Sequence, residues 1–143
     1  MILPDVNVLV YAFREDAVDH IKYHNWLESY LNGDETYGMS ELVLSGFLRV
    51  VTHPRIFSVP TPIETALKFT AQLVDQAHCS MISPTTRHWE IFEKLCRSCK
   101  AKGNLVPDAY FAALAIESGS EWISTDRDYS RFPGLRFRHP FEN

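Results

Sequence analysis

The chain lacks the features that mark several classes of protein. Only three of its 143 residues are cysteines, an odd count that does not make a disulfide framework. Its longest apolar run covers residues 8–13, far short of the roughly 20 residues that span a bilayer. The first residues carry no basic segment and no small-residue cleavage site, so no signal peptide is expected. These absences predict a cytoplasmic protein with reduced thiols and no membrane contact.

Repeats, low-complexity stretches and linkers rich in Pro, Gly or Ser are also missing. At roughly 100–200 residues per domain, the length predicts a single domain over residues 1–143. Apolar residues make up 45% of the chain and charged residues 22%, as in ordinary globular domains. Disorder, collagen and disulfide-rich miniproteins are therefore excluded.

An excess of positive charge is missing too. The chain has 14 Lys and Arg residues against 18 Asp and Glu residues, which leaves a net charge of −4. A protein that coats nucleic acid through bulk positive charge is therefore not expected.

The hydrophobic pattern alternates between short strands and longer helices. Strands are predicted over residues 1–3, 36–39, 80–83, 121–124 and 135–137. Helices are predicted over residues 6–13, 19–31, 41–51, 87–100 and 107–118, with a further helix after Pro62. This alternation predicts an α/β fold, a three-layer α/β/α sandwich with a short, mostly parallel central sheet.

Three local predictions accompany this pattern. The valines of residues 6–13 favour a strand, but the helical spacing of their apolar positions favours a short buried helix, which we prefer. Asp19 is placed to cap the helix that follows it, and residues 61–64 form a capping box with Pro62 at the first helical position. The apolar face of that helix is predicted to consist of Ile63, Leu67, Ala71 and Val74.

Four acidic residues lie where ligands bind in such folds. Asp5, Glu41 and Asp126 follow predicted strands, and Asp108 lies in the first turn of the helix that leads to strand 121–124. Gathered carboxylates repel one another unless a cation joins them, and a site of oxygen ligands suits Mg²⁺ or Mn²⁺. The alternative is structural, because acidic residues also complement helix dipoles and form turns.

Ordered segments along the whole chain resemble the PIN-domain family, and within it the VapC-type toxin ribonucleases. The segments that carry the resemblance are Leu3-Pro4-Asp5-Val6-Asn7-Val8-Leu9-Val10-Tyr11-Ala12, Ser40-Glu41, Gly103-Asn104-Leu105-Val106-Pro107-Asp108-Ala109 and Ser124-Thr125-Asp126-Arg127-Asp128-Tyr129. The resemblance implies a PIN fold and a Mg²⁺-dependent or Mn²⁺-dependent endoribonuclease that hydrolyses RNA with water as the nucleophile. It also implies a homodimer, a VapB-type antitoxin as partner, and transfer or ribosomal RNA as substrate.

The same resemblance assigns roles to individual residues. The catalytic acids would be Asp5, Glu41, Asp108 and Asp126. Asp5, Asp108 and Asp126 would bind the metal, while Glu41 would hold the attacking water. The flanking polar positions match Asn7, Thr125 and Asp128. Tyr129 stands where the family often has Phe, a departure expected to leave the chemistry unchanged.

Several other side chains admit two interpretations. Arg14 and Arg127 are candidates for contacts with RNA or a partner protein, and the arginines and aromatic residues of segment 127–138 either bind RNA or pack against the sheet. Cys96 and Cys99 share one helix face, which favours packing over a metal or redox site.

Two other functions are compatible with acids at strand ends. One is a PIN-like binding module without cleavage, and the other is an aspartyl-phosphate phosphotransfer domain. The latter usually needs a second acid two residues after the first, but position 7 is Asn. Without the four candidate acids the chain has 14 acidic and 14 basic residues, so the charge excess equals the proposed site.

Overall fold

A computed structural model describes residues 1–142. Its strands are β1 (Ile2–Pro4), β2 (Tyr37–Met39), β3 (Cys79–Met81), β4 (Glu121–Ile123) and β5 (Phe137–Arg138). Its α-helices are α1 (Val6–Phe13), α2 (His20–Leu31), α3 (Glu41–Val51), α4 (Ile63–Val74), α5 (His88–Cys99) and α6 (Leu105–Ser118). A 3₁₀-helix, Arg127–Arg131, follows β4. The predicted alternation of strands and helices is confirmed, with boundaries shifted by a few residues.

The five strands form one parallel sheet in the order β3-β2-β1-β4-β5. The chain builds outward from β1 to β3 and then returns to the other side of β1 to add β4. Because parallel crossovers are right-handed, this reversal puts α1 to α4 on one face and α5 and α6 on the other. The three-layer sandwich is therefore confirmed, and its topological switch point lies between β1 and β4, where such sheets bind ligands.

Residues 6–13 form a helix, as we preferred. Asp5 caps this helix, because its carboxylate accepts a hydrogen bond from the Val6 amide at 2.7 Å. Val8 and Leu9 are fully buried in the core. The chain thus turns from strand to helix directly at Asp5, at the carboxyl end of the central strand.

Helices α1 and α3 pack closely because position 46 has no side chain. A Cβ atom at Gly46 would lie 2.9 Å from Cγ2 of Val6, closer than van der Waals contact allows. This approach places α3 beside the start of α1, next to Asp5. Within residues 1–142, no helix combines the length and apolar character that a membrane crossing requires.

Both predicted helix caps are wrong. Asp19 adopts the left-handed conformation, with φ of 58°, and its side chain makes no capping hydrogen bond. No side chain caps α4, which begins after Pro62. The Thr61 hydroxyl instead accepts a hydrogen bond from Arg14 at 3.0 Å, a tertiary contact that replaces the local one.

The predicted apolar face of α4 is also wrong. Ile63 and Leu67 are 50% and 40% exposed, whereas Ala66, Thr70 and Leu73 are buried. The two stripes lie side by side on the helix and both contain apolar residues, so periodicity alone does not separate them. The packing of α4 against α3 decides which stripe faces the core.

Two leucines of α4 test this orientation. We expect Leu73→Ala to lower the free energy of unfolding by about 2–5 kcal/mol, because it leaves a cavity in the core. Leu67→Ala is the matched control and should change it by no more than about 0.5 kcal/mol. Urea unfolding followed by circular dichroism measures both, and similar losses in the two variants would contradict the orientation.

Candidate active site

Asp5 occupies the switch point as a buried carboxylate. Its side chain is 7% exposed. One carboxylate oxygen accepts from the Val6 amide, and the other accepts from the Ser124 hydroxyl at 2.7 Å. Asp5 takes part in none of the ion pairs among residues 1–142. The protein therefore holds a buried acid whose hydrogen bonds are made but whose charge has no cationic partner.

Ser124 connects two of the candidate acids. It follows β4 directly and is fully buried. While its hydroxyl donates to Asp5, its oxygen accepts from the Asp126 amide at 3.0 Å. Sequence reasoning assigned the supporting role to Thr125 and missed Ser124. Ser124 could have been found from the sequence, because it ends the predicted strand 121–124, where a hydroxyl is expected to be buried among apolar side chains.

Asp108 joins the same site from the first turn of α6. Its carboxylate accepts a hydrogen bond from the Tyr129 hydroxyl at 3.3 Å. Tyr129 is buried in the short helix after β4, with its ring packed against Trp122. The hydroxyl that distinguishes Tyr129 from Phe therefore contacts a candidate catalytic acid, and the expectation that this residue leaves the chemistry unchanged stays a prediction.

The three carboxylates repel one another. The pKa of Asp5 is raised from 3.8 to about 6, chiefly by burial and with smaller contributions from the charges of Asp108 and Asp126, while its hydrogen bonds to Ser124 and Val6 act in the opposite direction. Burial also raises the pKa of Asp108, with Asp126 and Asp128 contributing in the same direction. A divalent cation among these groups would remove both the repulsion and the unfavourable burial of charge.

These acids line one side of a cleft of about 660 Å³. Asp5, Asp108 and Asp126 contribute its acidic side, together with Asn7 and Tyr129. Residues of α3 and of the loop after it form another part of the lining. The cleft is thus large enough for a nucleotide-sized ligand beside the acids.

Asn7 adds a buried oxygen without a hydrogen-bond partner to the acidic side of the cleft. Its Oδ1 atom is buried and has no hydrogen-bond partner in the structure. Carboxylate and amide oxygens are the ligands that Mg²⁺ and Mn²⁺ prefer. As they stand, residues 1–142 include no group of three His, Cys, Asp or Glu side chains in coordinating contact. The donor set nonetheless fits a divalent cation, since it combines uncompensated charge with an orphaned oxygen.

The structure leaves Glu41 outside this cluster. Glu41 is the first residue of α3, is exposed, and does not line the cleft, although its neighbour Leu42 does. Asp128 also faces solvent, where its carboxylate lies 3.8 Å from Arg131. The backbone amide of Asp128 donates to Asp126 at 2.9 Å and orients that carboxylate. Three of the four candidate catalytic acids are therefore brought together, and Glu41 stays at the rim.

The arginines predicted to contact RNA or a partner are engaged within the chain. Arg14 is 11% exposed, pairs with Asp16 at 2.6 Å and lies over the Phe57 ring at 3.9 Å. Arg127 pairs with Glu142 at 2.6 Å, and Arg138 donates to Glu121 at 2.8 Å. These contacts favour the packing interpretation of segment 127–138. They give Arg14 a role in holding Phe57 in place.

The cysteine pair of α5 shows no metal site. Cys96 and Cys99 are half-buried free thiols, less enclosed than expected. The Cys99 sulfur lies 3.3 Å from the Arg131 carbonyl oxygen, and burial raises the pKa of the Cys96 thiol. Both observations fit a packing role.

Replacing Asp5 by Asn is expected to stabilise the metal-free protein at neutral pH. Because the pKa of Asp5 is about 6 in the folded state and 3.8 ordinarily, the folded protein binds this proton more tightly between those values. Stability therefore falls as pH rises from about 4 to about 6, by about 1–3 kcal/mol in total. Denaturation in a chelating buffer should show Asp5→Asn more stable than the parent above about pH 7, with a smaller difference near pH 4.

Asp16→Asn is the control for that experiment. Asp16 is exposed, and its hydrogen bond with Arg14 lowers the pKa of its carboxyl group. Its contribution to stability has the opposite sign, since it is present at neutral pH and is lost as pH falls. Equal stabilisation by both substitutions would contradict the burial argument for Asp5.

Tyr129→Phe should raise the pKa of Asp108, because the tyrosine hydroxyl bonds to the charged carboxylate and lowers that pKa. Carbon-13 NMR of the Asp108 carboxyl group measures the change. Tyr110→Phe is the control, because Tyr110 lies on α6 with Asp108, and this substitution should leave the pKa of Asp108 unchanged. An unchanged Asp108 pKa in Tyr129→Phe would show that the hydroxyl does not act on the carboxylate.

Comparison with known proteins places the chain in one family. The family model described as "PIN domain" matches residues 2–135. The chain is 42% identical over 142 residues to "VapC ribonuclease Mb2897" of Mycobacterium bovis, covering 99% of this chain and 97% of the relative. It is 38% identical over 140 residues to "Ribonuclease VapC25" of Mycobacterium tuberculosis, covering 98% and 99% of the two chains.

Solved structures share the fold at lower identity. The structure of VapBC2 from Rickettsia felis bound to a promoter DNA fragment superposes with a TM-score of 0.69 at 19% identity, covering 97% of this chain and 98% of that one. The structure of Mycobacterium tuberculosis VapC20, described as a sarcin–ricin loop cleaving toxin, gives a TM-score of 0.65 at 16% identity, covering 95% and 99%. With this fold, the near full-length relatives and the acids at the switch point, the chain belongs to the PIN-domain family and, within it, to the VapC ribonucleases.

Proposed function

We propose that this chain is an endoribonuclease that hydrolyses RNA phosphodiester bonds with Mg²⁺, or Mn²⁺ in its place. The observation that carries the proposal is the buried carboxylate of Asp5, which shares a cleft with Asp108 and Asp126 and lacks a cationic partner. The names of the relatives support the reaction class, and the donor set supports the metal.

Asp5, Asp108 and Asp126 would hold the metal, and the unpartnered amide oxygen of Asn7, on the lining of the same cleft, would be a further candidate ligand. A divalent ion there supplies Lewis acidity, which polarises a phosphoryl oxygen and makes water a stronger nucleophile near neutral pH. Oxygen-only coordination and three carboxylates match the preference of Mg²⁺ for a few charged ligands.

The chain's own residues supply orientation. Ser124 and the Val6 amide fix both oxygens of Asp5, Tyr129 holds one oxygen of Asp108, and the Asp128 amide holds Asp126. Each acid is thereby held by at least one hydrogen bond near a strand end or helix start, which would reduce the rearrangement required when substrate binds. The family resemblance gives Glu41 the role of holding the attacking water, but Glu41 does not line the cleft in this structure, so this role does not follow from the geometry.

Single substitutions test this assignment. We expect Asp5→Asn, Asp108→Asn and Asp126→Asn each to reduce cleavage of a mixed RNA pool to the level of a protein-free blank with Mg²⁺ or Mn²⁺ present. Asp75→Asn, at the end of α4 and outside the cleft, is the control and should cleave like the parent. Cleavage that persists in Asp5→Asn and Asp108→Asn preparations would overturn the site assignment.

Metal binding should stabilise the folded protein. At a Mn²⁺ concentration 100 times its dissociation constant, the free energy of unfolding should rise by about 2.7 kcal/mol over the chelated protein. Thermal unfolding with added Mn²⁺ or Mg²⁺ measures this rise, which Asp108→Asn should largely remove and Asp75→Asn should preserve. A rise of equal size in the Asp108→Asn protein would place the metal elsewhere.

The proposal includes the partners that the family resemblance implies. The protein would act in the cytoplasm as a homodimeric toxin and be held inactive by a VapB-type antitoxin. The solved structures of toxin–antitoxin complexes with the same fold support this partner.

Growth of a bacterial host tests the toxin role. Induced expression of the parent protein should stop growth, whereas expression of the Asp5→Asn protein should not. Co-expression of a cognate antitoxin with the parent protein should restore growth. Sedimentation of the purified chain tests the dimer.

A phosphotransfer role finds no support in the site. No lysine lines the cleft in the part of the chain that the structure describes, and the position two residues after Asp5 is Asn rather than a second acid. A binding module without cleavage is distinguished by the cleavage experiment itself.

A further inference from the structure

The cleft has a second side that the acids do not explain. This side, called here the α3 wall, consists of Leu42, Ser45, Arg49, Val50, Ile56 and Phe57. Leu42, Ser45 and Arg49 recur at helical spacing along one face of α3, so they point into the cleft together. The wall and the acids Asp5, Asp108 and Asp126 line the same cleft.

Arg49 is the only cation among the described residues that line the cleft. It is exposed and takes part in none of the ion pairs found within residues 1–142. An arginine left free beside three carboxylates is available for an anion, and its planar guanidinium suits a phosphate group in particular.

Two apolar side chains of the wall are exposed without any packing reason. Leu42 is 47% exposed and Ile56 is 49% exposed, and both face the cleft. The backbone amides of Ile56 and Phe57 both donate to the His53 carbonyl oxygen at 3.1 Å, which closes a tight turn in the loop after α3. Arg14 lies against the Phe57 ring and holds the loop there. The wall is therefore a built surface rather than a loose loop.

We propose that the α3 wall is a subsite for one unpaired nucleotide of the RNA substrate, with its phosphate on Arg49 and its base against Leu42 and Ile56. This inference rests on the proposed function, because it requires the RNA on either side of the cleaved bond to lie in the same cleft. A polyanion needs a cation in order to approach three carboxylates, and Arg49 is the only cation among the described residues that line the cleft. The apolar contacts require an unstacked base, so the substrate is single-stranded at this position.

Arg49→Ala tests the phosphate contact, and Arg55→Ala is the control. Arg55 is an exposed arginine six residues further along that does not line the cleft. All proteins carry Asp108→Asn to prevent cleavage, and fluorescence anisotropy follows binding of a fluorescein-labelled mixed-sequence RNA decamer as salt is varied. Arg49→Ala should weaken binding about tenfold and make the dependence of log K on log salt shallower by about 0.7. Arg49→Lys should keep most of that slope, because the charge remains.

Ile56→Ala tests the base contact, and Ile63→Ala is the control. Ile63 is 50% exposed, nearly the same as Ile56, but it lies on α4 outside the cleft. Ile56→Ala should weaken binding of the intact decamer roughly threefold to tenfold. It should have no effect on a decamer that lacks bases throughout, and Ile63→Ala should change neither affinity. The same decamer in a duplex should bind less tightly to the Asp108→Asn protein.

The outcomes separate this inference from the proposed function. If Arg49→Ala and Arg55→Ala give the same affinity and salt slope, or Ile56→Ala matches Ile63→Ala, the subsite is wrong even though the parent cleaves RNA. If Arg49→Ala and Ile56→Ala weaken only the binding of the co-expressed antitoxin, the wall is a protein-binding surface and the inference is again wrong. If the parent protein does not cleave RNA at all, the proposed function fails first.

Discussion

The hydrogen bond from Ser124 to Asp5 is the contact on which the site depends. It joins residues 119 positions apart in the chain and is buried at the carboxyl ends of β1 and β4. These two strands become neighbours only because the chain reverses its direction of growth after β3. Ser124 then also binds the Asp126 amide, so one buried hydroxyl sets the distance between two acids.

Buried like charge is the energetic counterpart of this arrangement. The fold uses hydrogen bonds from Ser124, Tyr129 and backbone amides to hold acids that repel one another, and it leaves their charge uncompensated. Such a site is unfavourable in the metal-free protein, and the divalent cation proposed above would relieve the repulsion, so that its binding would be coupled to stability. Stability is thereby reduced in exchange for carboxylates that are positioned before the reaction begins.

The close approach of α1 and α3 gives the cleft its second side. Gly46 permits this approach, and it brings Arg49 and the exposed apolar residues of the α3 wall to face the acids. The cleft therefore combines negative charge on one side with a single positive charge and apolar surface on the other.

Hydrophobic periodicity and the positions of Asp5, Asp108 and Asp126 determined the fold class and most of the acidic site, because strand ends in parallel sheets meet at one edge. Local patterns did not determine the inward stripe of α4 or the partner of Thr61, since both depend on contacts with distant segments. Tertiary structure alone showed that Ser124 and Tyr129 bind the acids and that Glu41 stays at the rim. A sequence determines which residues share a helix face or a strand end, but hydrogen bonds between residues more than 100 positions apart exist only after the sheet has formed.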